Sequence, residues 1–232
     1  MLRLAVQALR EGIADIPATP MIHADLYLQR IDFLKYLPGS DCGECGASSC
    51  AGLIRGLKDG TIFASDCPFL PKHRVAAFHL ALRAREILPA VPAFELPRPG
   101  CPGLVEINNP RGDSPVLVTG NSQLTQDVVT TLLGFTTSPF RIVFVDCRGD
   151  TVDMAMIYQS LTVDRICRAL AGANPPGGGK VMELILPGFA RELETPLVQQ
   201  TGWSVQVGPI CVAELPLFLG ERWRMAKGWE PR

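Results

Sequence analysis

Apolar positions along the chain change their rhythm on either side of a proline-rich stretch. Before it they recur at helical spacing. Leu26, Ile31, Phe33, Leu34 and Leu37 predict a helix ending at Pro38-Gly39. Ser48 is placed to cap a second helix, with Leu53, Ile54 and Leu57 facing inward and Gly60 stopping it. Val75, Phe78, Leu82 and Ile87 mark a third. At the N-terminus a very short apolar run flanked by Arg3 and Arg10 reads as an amphipathic helix, not a signal peptide. Pro89, Pro92, Pro97, Pro99 and Pro102 follow, a run that neither continues a helix nor supplies a central strand, and so reads as a semi-rigid linker.

Beyond the prolines, short β-branched runs at Val116–Thr119, Arg141–Asp146, Val181–Leu186 and Ser204–Val207 predict strands. Each is followed by a helix-like segment, about 122–133, 152–171, 189–200 and 212–223. Strands alternating with helices predict βαβ units and a mostly parallel sheet covered on both faces. The predicted fold is therefore a small α-helical domain over 1–88, a linker over 89–104, and a Rossmann-like α/β domain over 105–232. Ligands of such sheets bind beyond the carboxyl ends of the strands. Those ends are Thr119-Gly120-Asn121, Asp146-Cys147-Arg148-Gly149, Leu186-Pro187-Gly188 and Val207-Gly208-Pro209.

Chemistry is concentrated in the first region. Cys42, Cys45 and Cys50 lie close together and Cys67 follows after a helix-length insert. Four thiolates in that pattern match a [4Fe–4S] cluster, in which each iron takes one external sulfur. Structural zinc more often takes two close pairs, so a zinc-stabilised interaction module is the lesser alternative. Gly43 and Gly46 let backbone N–H groups turn toward the sulfurs, and Asp41, Glu44 and Asp66 add negative charge beside them. The chain has eight cysteines and no secretory signal, which points to a reducing, cytoplasmic setting where thiols serve metals. A net charge of −1 argues against general nucleic-acid binding or a polybasic membrane contact, and no run is long enough to span a bilayer.

Two stretches carry a family resemblance. Phe33-Leu34-Lys35-Tyr36-Leu37-Pro38-Gly39 through the four cysteines resembles the N-terminal cluster domain of the large subunit of corrinoid iron–sulfur proteins, from the carbon monoxide dehydrogenase/acetyl-CoA synthase system. The segment from Asn109 to Thr125, with Asp146, Gly149, Leu161 to Ile166, Leu186-Pro187-Gly188, Gly202-Trp203 and Val207-Gly208-Pro209, resembles the same subunit's C-terminal corrinoid domain. The family's subunit holds a TIM barrel between these domains; here only the linker joins them.

The resemblance implies two cofactors, a 4Fe-4S cluster on Cys42, Cys45, Cys50 and Cys67 and a cobalamin-type corrinoid. It implies a role in methyl transfer, as a methyltransferase component or a carrier, with the cluster returning Co(II) to Co(I). The implied partners are methyl-donor and methyl-acceptor proteins and a low-potential electron donor. Thr119, Asn121, Thr125, Gly149, Thr151, Pro187, Gly188, Gly208 and Pro209 are the implied corrinoid contacts. None of His23, His73 or His79 lies in an Asp-x-His-x-x-Gly pattern, so the corrinoid is expected base-off without a protein imidazole. A second reading is a ferredoxin-like electron-transfer protein whose α/β domain is a docking module.

Other features have plainer readings. Cys101, Cys147, Cys167 and Cys211 read as packing thiols, and Trp203, Trp223 and Trp229 as core and C-terminal packing. Pro175 to Lys180 lacks the G-x-x-x-x-G-K-[ST] pattern of a phosphate loop and precedes a strand, so it reads as a connector.

Overall fold

The computed structural model of the protein describes residues 24–90, 97–173 and 182–226. The expected N-terminal amphipathic helix, His23, the Pro175–Lys180 connector and Trp229 lie outside the described residues. The chain forms an N-terminal helical region followed by a mixed five-stranded sheet with helices. No helix among the described residues is long and apolar enough to cross a membrane.

In the helical region the second and third predicted helices form. Helix α1 spans Cys50–Asp59, and Ser49, one residue beyond the predicted cap, accepts a hydrogen bond from the Gly52 N–H at 3.1 Å. Gly60 closes it in the left-handed conformation. Helix α2 spans Lys72–Leu82, and a short α3 spans Ala84–Ile87. The helix expected over Leu26–Leu37 does not form. Two 3-10 turns, Leu28–Arg30 and Phe33–Tyr36, stand there instead, because Tyr27 and Asp32 both leave helical backbone angles. Ile31 and Phe33 still reach the core.

The sheet comprises β1 (Gly103–Ile107), β2 (Val116–Gly120), β3 (Phe140–Val145), β4 (Glu183–Leu186) and β5 (Ser204–Val207). Their spatial order is β1-β3-β2-β4-β5, with β1 antiparallel and the remaining pairs parallel. Strand β1 is an addition to the expected set, an antiparallel edge beginning at the last residues of the proline-rich stretch. From β2 the chain moves one way to β3, then crosses back to β4 on the other side of β2. The strand order therefore reverses between β2 and β4.

Helices α4 (Gln123–Leu133), α5 (Val152–Ile157), α6 (Val163–Ala173), α7 (Glu194–Thr201) and α8 (Leu215–Leu219) complete the fold. The helix expected over 152–171 is split. Ser160 and Leu161 N–H both bond the Ala155 carbonyl across Gln159, which is left-handed at φ 54°. The segments expected as helices over 189–200 and 212–223 begin as 3-10 turns, at Gly188–Leu193 and Val212–Glu214.

Strand side chains sort by period two into two cores. Leu117, Ile142, Phe144 and Ile185 face a core shared with α4, α8 and the N-terminal helices, including Leu53, Phe78 and Trp223. Val116, Val118, Val143, Val145, Leu184 and Leu186 face the core covered by Ala155, Ile166, Leu170 and Leu197. The first core thus joins the cysteine-bearing region to the sheet. Each fully buried Leu or Phe there contributes about 1.5–3 kcal/mol by its removal from water. Helix α2 packs on α8, and Arg74 from α2 donates to the Leu217 carbonyl at 2.7 Å.

Candidate functional site

The cysteine loop is shaped by backbone conformation. Gly39, Asp41, Gly43 and Gly46 all adopt positive φ, and the Gly46 N–H bonds the Gly43 carbonyl at 3.0 Å. Positive φ costs glycine nothing, so Gly43 and Gly46 let the chain turn tightly between its cysteines. The Asp41 carboxylate accepts the Cys50 N–H at 2.6 Å and so ties the loop's start to the first turn of α1. Cys50 is the first residue of that helix. Cys67 follows the 3-10 turn Ala64–Asp66, itself closed by the Phe63 N–H on the Asp66 carboxylate at 2.8 Å.

All four thiols are free, with Cys42 exposed, Cys45 half-buried, and Cys50 and Cys67 buried. Among the described residues, no three His, Cys, Asp or Glu side chains converge tightly enough to hold a single metal ion. Four free thiols, two at the surface and two buried beside them, are a donor set of the kind an iron–sulfur cubane takes. Of the remaining cysteines, Cys101 is exposed and so is not the packing thiol expected, Cys167 is half-buried, and Cys147 and Cys211 are buried. Burial pushes the Cys147 and Cys211 thiols up to about 11, which keeps them neutral and suits them to packing.

The second site is a cavity of about 820 Å³ beyond the carboxyl ends of β2 and β4, at the reversal of strand order. Leu117, Val118, Ile185 and Leu186 supply apolar wall, while Thr119, Thr125, Gly149, Thr151, Pro187 and Pro209 also line it. Asn121, Gly188 and Gly208, the other three of the nine anticipated residues, do not. Asn121 is buried, its amide donating to the Gly100 carbonyl and accepting the Cys147 N–H, which makes it a staple between strand ends. Gly188 lies so close to the next turn that a Cβ would fall 2.7 Å from the Ile210 nitrogen. Gly208 donates its N–H to the Leu186 carbonyl at 2.8 Å.

Sequence reading passed over the cavity's charges. Asp25, Asp127, Asp150 and Asp153 line it against one cationic side chain, Arg98. That balance favours ligand faces rich in hydrogen-bond donors. Asp153 is the most elaborated. Thr151 donates to Oδ1 at 2.5 Å and Tyr27 donates to Oδ2 at 2.6 Å. Burial alone would raise the Asp153 pKa, but these bonds and backbone N–H groups outweigh it and hold the carboxyl below its ordinary value. Tyr27 comes from a segment 126 residues away, so nothing local in the sequence announces the pair.

The proline-rich stretch forms part of the wall. Pro97 and Arg98 line the cavity, the Gly100 N–H bonds the Asn121 carbonyl at 2.6 Å, and the Gln123 N–H bonds the Arg98 carbonyl at 2.8 Å. Its second half is therefore fixed to the sheet.

Comparison with known proteins agrees with the cysteine pattern. Residues 37–69 match a family described as "Putative Fe-S cluster". The gamma subunit of the acetyl-CoA decarbonylase/synthase complex of Methanopyrus kandleri is 30% identical over 118 residues, covering 51% of this chain and 26% of that subunit. The same subunit of Methanosarcina acetivorans is 28% identical over 123 residues, covering 52% of this chain and 26% of its own length. The gamma 1 subunit of Methanosarcina thermophila is 38% identical over 61 residues, covering 26% and 13%. The chain thus spans about a quarter of the length of these relatives or less. In the cysteine loop and over about half its length, the chain is similar to acetyl-CoA decarbonylase/synthase gamma subunits, in line with the resemblance its sequence carries.

Proposed function

We propose that this chain is a corrinoid iron–sulfur protein of the large-subunit type, with a cluster on Cys42, Cys45, Cys50 and Cys67 and a base-off corrinoid in a Rossmann-like domain. When bound, the two groups supply a one-electron reductant and a cobalt centre that takes and passes on a methyl group, Co(II) being returned to Co(I). Thr119, Thr125, Gly149, Thr151, Pro187 and Pro209 would surround the corrinoid, with Asp153 and its acidic neighbours accepting from its peripheral amides. The proposed setting is the cytoplasm, and the proposed partners are methyl-donor and methyl-acceptor proteins and a low-potential electron donor.

One observation carries this reading. The segment that leads into the cysteine loop also walls the acidic cavity at the strand-order reversal, so a single stretch of chain links both sites. The cavity's volume is in the range of specific small-molecule sites. Its carboxylates set it apart from the phosphate-binding loops of dinucleotide folds, which place a glycine-rich turn and helix N-terminus against anions.

The test is electron paramagnetic resonance of anaerobically purified protein supplied with cobalamin, before and after reduction by a low-potential donor, alongside cluster absorbance. A base-off Co(II) signal that vanishes on reduction is the expected result. A reducible cluster with no retained cobalt overturns the reading and leaves the electron-transfer alternative.

A further inference from the structure

Tyr27 is held in a conformation that aromatic residues rarely adopt, left-handed at φ 58°, and it sits at the edge of the switch-point cavity. Three contacts hold it. Its hydroxyl donates to Asp153, its ring meets Phe189 edge-on at 4.9 Å, and its N–H donates to Asp25 at 2.7 Å. Ala24, Asp25, Leu26 and Tyr27 all line the cavity. The turn that follows is thin, closed by the Arg30 N–H on the Tyr27 carbonyl and the Ile31 N–H on the Leu28 carbonyl. A few residues on, Tyr36 donates to the buried Glu214 at 2.6 Å. The strip Ala24–Arg30 contains no buried residue, whereas Ile31 and Phe33 are in the core.

These observations describe a lightly held strap with a firm anchor at one end. Beside the edge-on ring contact to Phe189, its attachment at the cavity is one hydroxyl on an acceptor that any donor-bearing ligand would compete for. We propose that Ala24–Arg30 is a ligand-displaced lid, in which an amide-bearing ligand entering the cavity takes over Asp153 from Tyr27 and frees the strap while the Tyr36–Glu214 anchor holds the cysteine loop in place. The inference rests on the reading that the cavity takes a corrinoid, whose edge carries carboxamide N–H groups. Relief of the Tyr27 backbone conformation assists the exchange. The lid lowers apparent affinity by the fraction of molecules in which it is closed, so removing the latch raises affinity.

The experiment is anaerobic titration of the full chain with cobinamide, which has the amides but no nucleotide tail, followed by cobalt absorbance and by amide hydrogen exchange. Wild type, Tyr27→Phe and Asp153→Asn are compared, with circular dichroism reporting that each is folded. In wild type, cobinamide is expected to speed exchange at residues 27–31 by about tenfold or more, with 33–50 unchanged. Tyr27→Phe is expected to show that fast exchange without ligand and to bind cobinamide several-fold more tightly. Asp153→Asn is expected to show the fast exchange but to bind more weakly. Tighter protection of 27–31 on binding, or weaker binding by Tyr27→Phe, overturns the lid. If no protein binds cobinamide, the corrinoid reading fails separately. The lid is then judged on the ligand-free comparison alone, where equal exchange in wild type and Tyr27→Phe overturns it.

Discussion

Tyr36 and Glu214 are 178 residues apart in the chain, yet the tyrosine hydroxyl donates to the carboxylate at 2.6 Å. Glu214 is buried in the turn after β5, and Tyr36 ends the segment entering the cysteine loop. The Arg74 guanidinium lies 5.3 Å from the Tyr36 ring centroid while donating to the Leu217 carbonyl. This three-residue bolt fixes the cysteine-bearing region to one face of the sheet.

Burial raises the Glu214 pKa, and the Tyr36 hydrogen bond opposes that rise without cancelling it. The folded state therefore keeps the Glu214 proton to higher pH than the unfolded state does. This contribution to stability is fully present below the ordinary carboxylate pKa and is lost as pH climbs through the raised value. Glu214→Gln should flatten that limb in urea midpoints measured from about pH 4 to 8. Tyr36→Phe leaves a buried carboxylate without its donor and should cost about 1–3 kcal/mol at neutral pH.

The proposed cluster ligation sets four cysteines apart from the two that are buried elsewhere in the sheet domain. Single Ser replacements of Cys42, Cys45, Cys50 and Cys67 are each expected to abolish most bound iron and acid-labile sulfide. Ala replacements of Cys147 and Cys211 should lower stability by about 1–3 kcal/mol through lost packing while iron content holds. Iron and sulfide per chain, with urea midpoints, decide it. Full iron in the Cys67 variant would show that the fourth ligand lies elsewhere.

Asp41 positions the loop through one bond, its carboxylate accepting the Cys50 N–H at 2.6 Å from a left-handed backbone. Asp41→Ala removes the acceptor and keeps the unfavourable φ; Asp41→Asn keeps an acceptor oxygen and tolerates that φ. Iron loss to a chelator is expected to quicken by about tenfold in Asp41→Ala, a cap's worth of roughly 1 kcal/mol or slightly more, and to change little in Asp41→Asn. Equal rates in both variants would show that the carboxylate's charge, not its hydrogen bond, holds the loop.

What was legible in the sequence depended on how local its cause was. Strands β2 and β3 announce themselves through β-branched runs that the sheet buries on both faces, and β4 through a nearly buried apolar run, while edge strand β5 is read from its alternation around the buried Val205. Helix α1 carries its own cap and stop. Strand β1 was hidden because it is a half-exposed antiparallel edge starting just after Pro102, where proline composition dominated the reading. The break after α5 falls at Gln159, a left-handed residue without the glycine that usually signals it. The segment 26–37 has helical spacing, but its conformation is set by Tyr27 and Tyr36 reaching carboxylates more than a hundred residues away. The cysteines were readable from spacing alone; the acidic cavity wall was not, since Asp25, Asp127, Asp150 and Asp153 meet only through the topology.

Tyr27 and Asp153 share one hydrogen bond, and their pKa values shift in opposite directions. Burial first, then the bond to Asp153 and its charge, push the Tyr27 hydroxyl up to about 12. Its contribution is complete below the ordinary tyrosine value of about 10 and is lost as pH rises through about 12. The Asp153 contribution is present above the ordinary carboxylate value and is lost as pH falls through its lowered one. Thermal midpoints against pH should therefore lose part of their alkaline limb in Tyr27→Phe, the rest belonging to Tyr36 and to the buried Cys147 and Cys211 thiols, and part of their acid limb in Asp153→Asn. An unchanged alkaline limb in Tyr27→Phe would assign that loss to another group.

Gly149 is the point where the proline-rich stretch meets the cavity. Its φ is 85°, and a Cβ placed on it would lie 2.5 Å from the Pro99 nitrogen and 2.7 Å from the Arg98 carbonyl carbon. Both are backbone atoms, so no side-chain rotation relieves the clash, and φ itself disfavours any L side chain. Gly149→Ala must push Arg98 and Pro99 away from the strand ends. That movement strains the hydrogen bonds from Gln123 to Arg98 and from Gly100 to Asn121, which hold the wall in place. A stability loss of about 1–3 kcal/mol is expected from strain and overpacking. Cobinamide affinity should fall with it, because Arg98 and Pro97 are displaced from the lining. Gly202→Ala is the control, since Gly202 has a similar φ of 68° but open space around it. If both variants lose the same stability and neither loses affinity, the positive φ alone explains the cost and the wall is not held at Gly149.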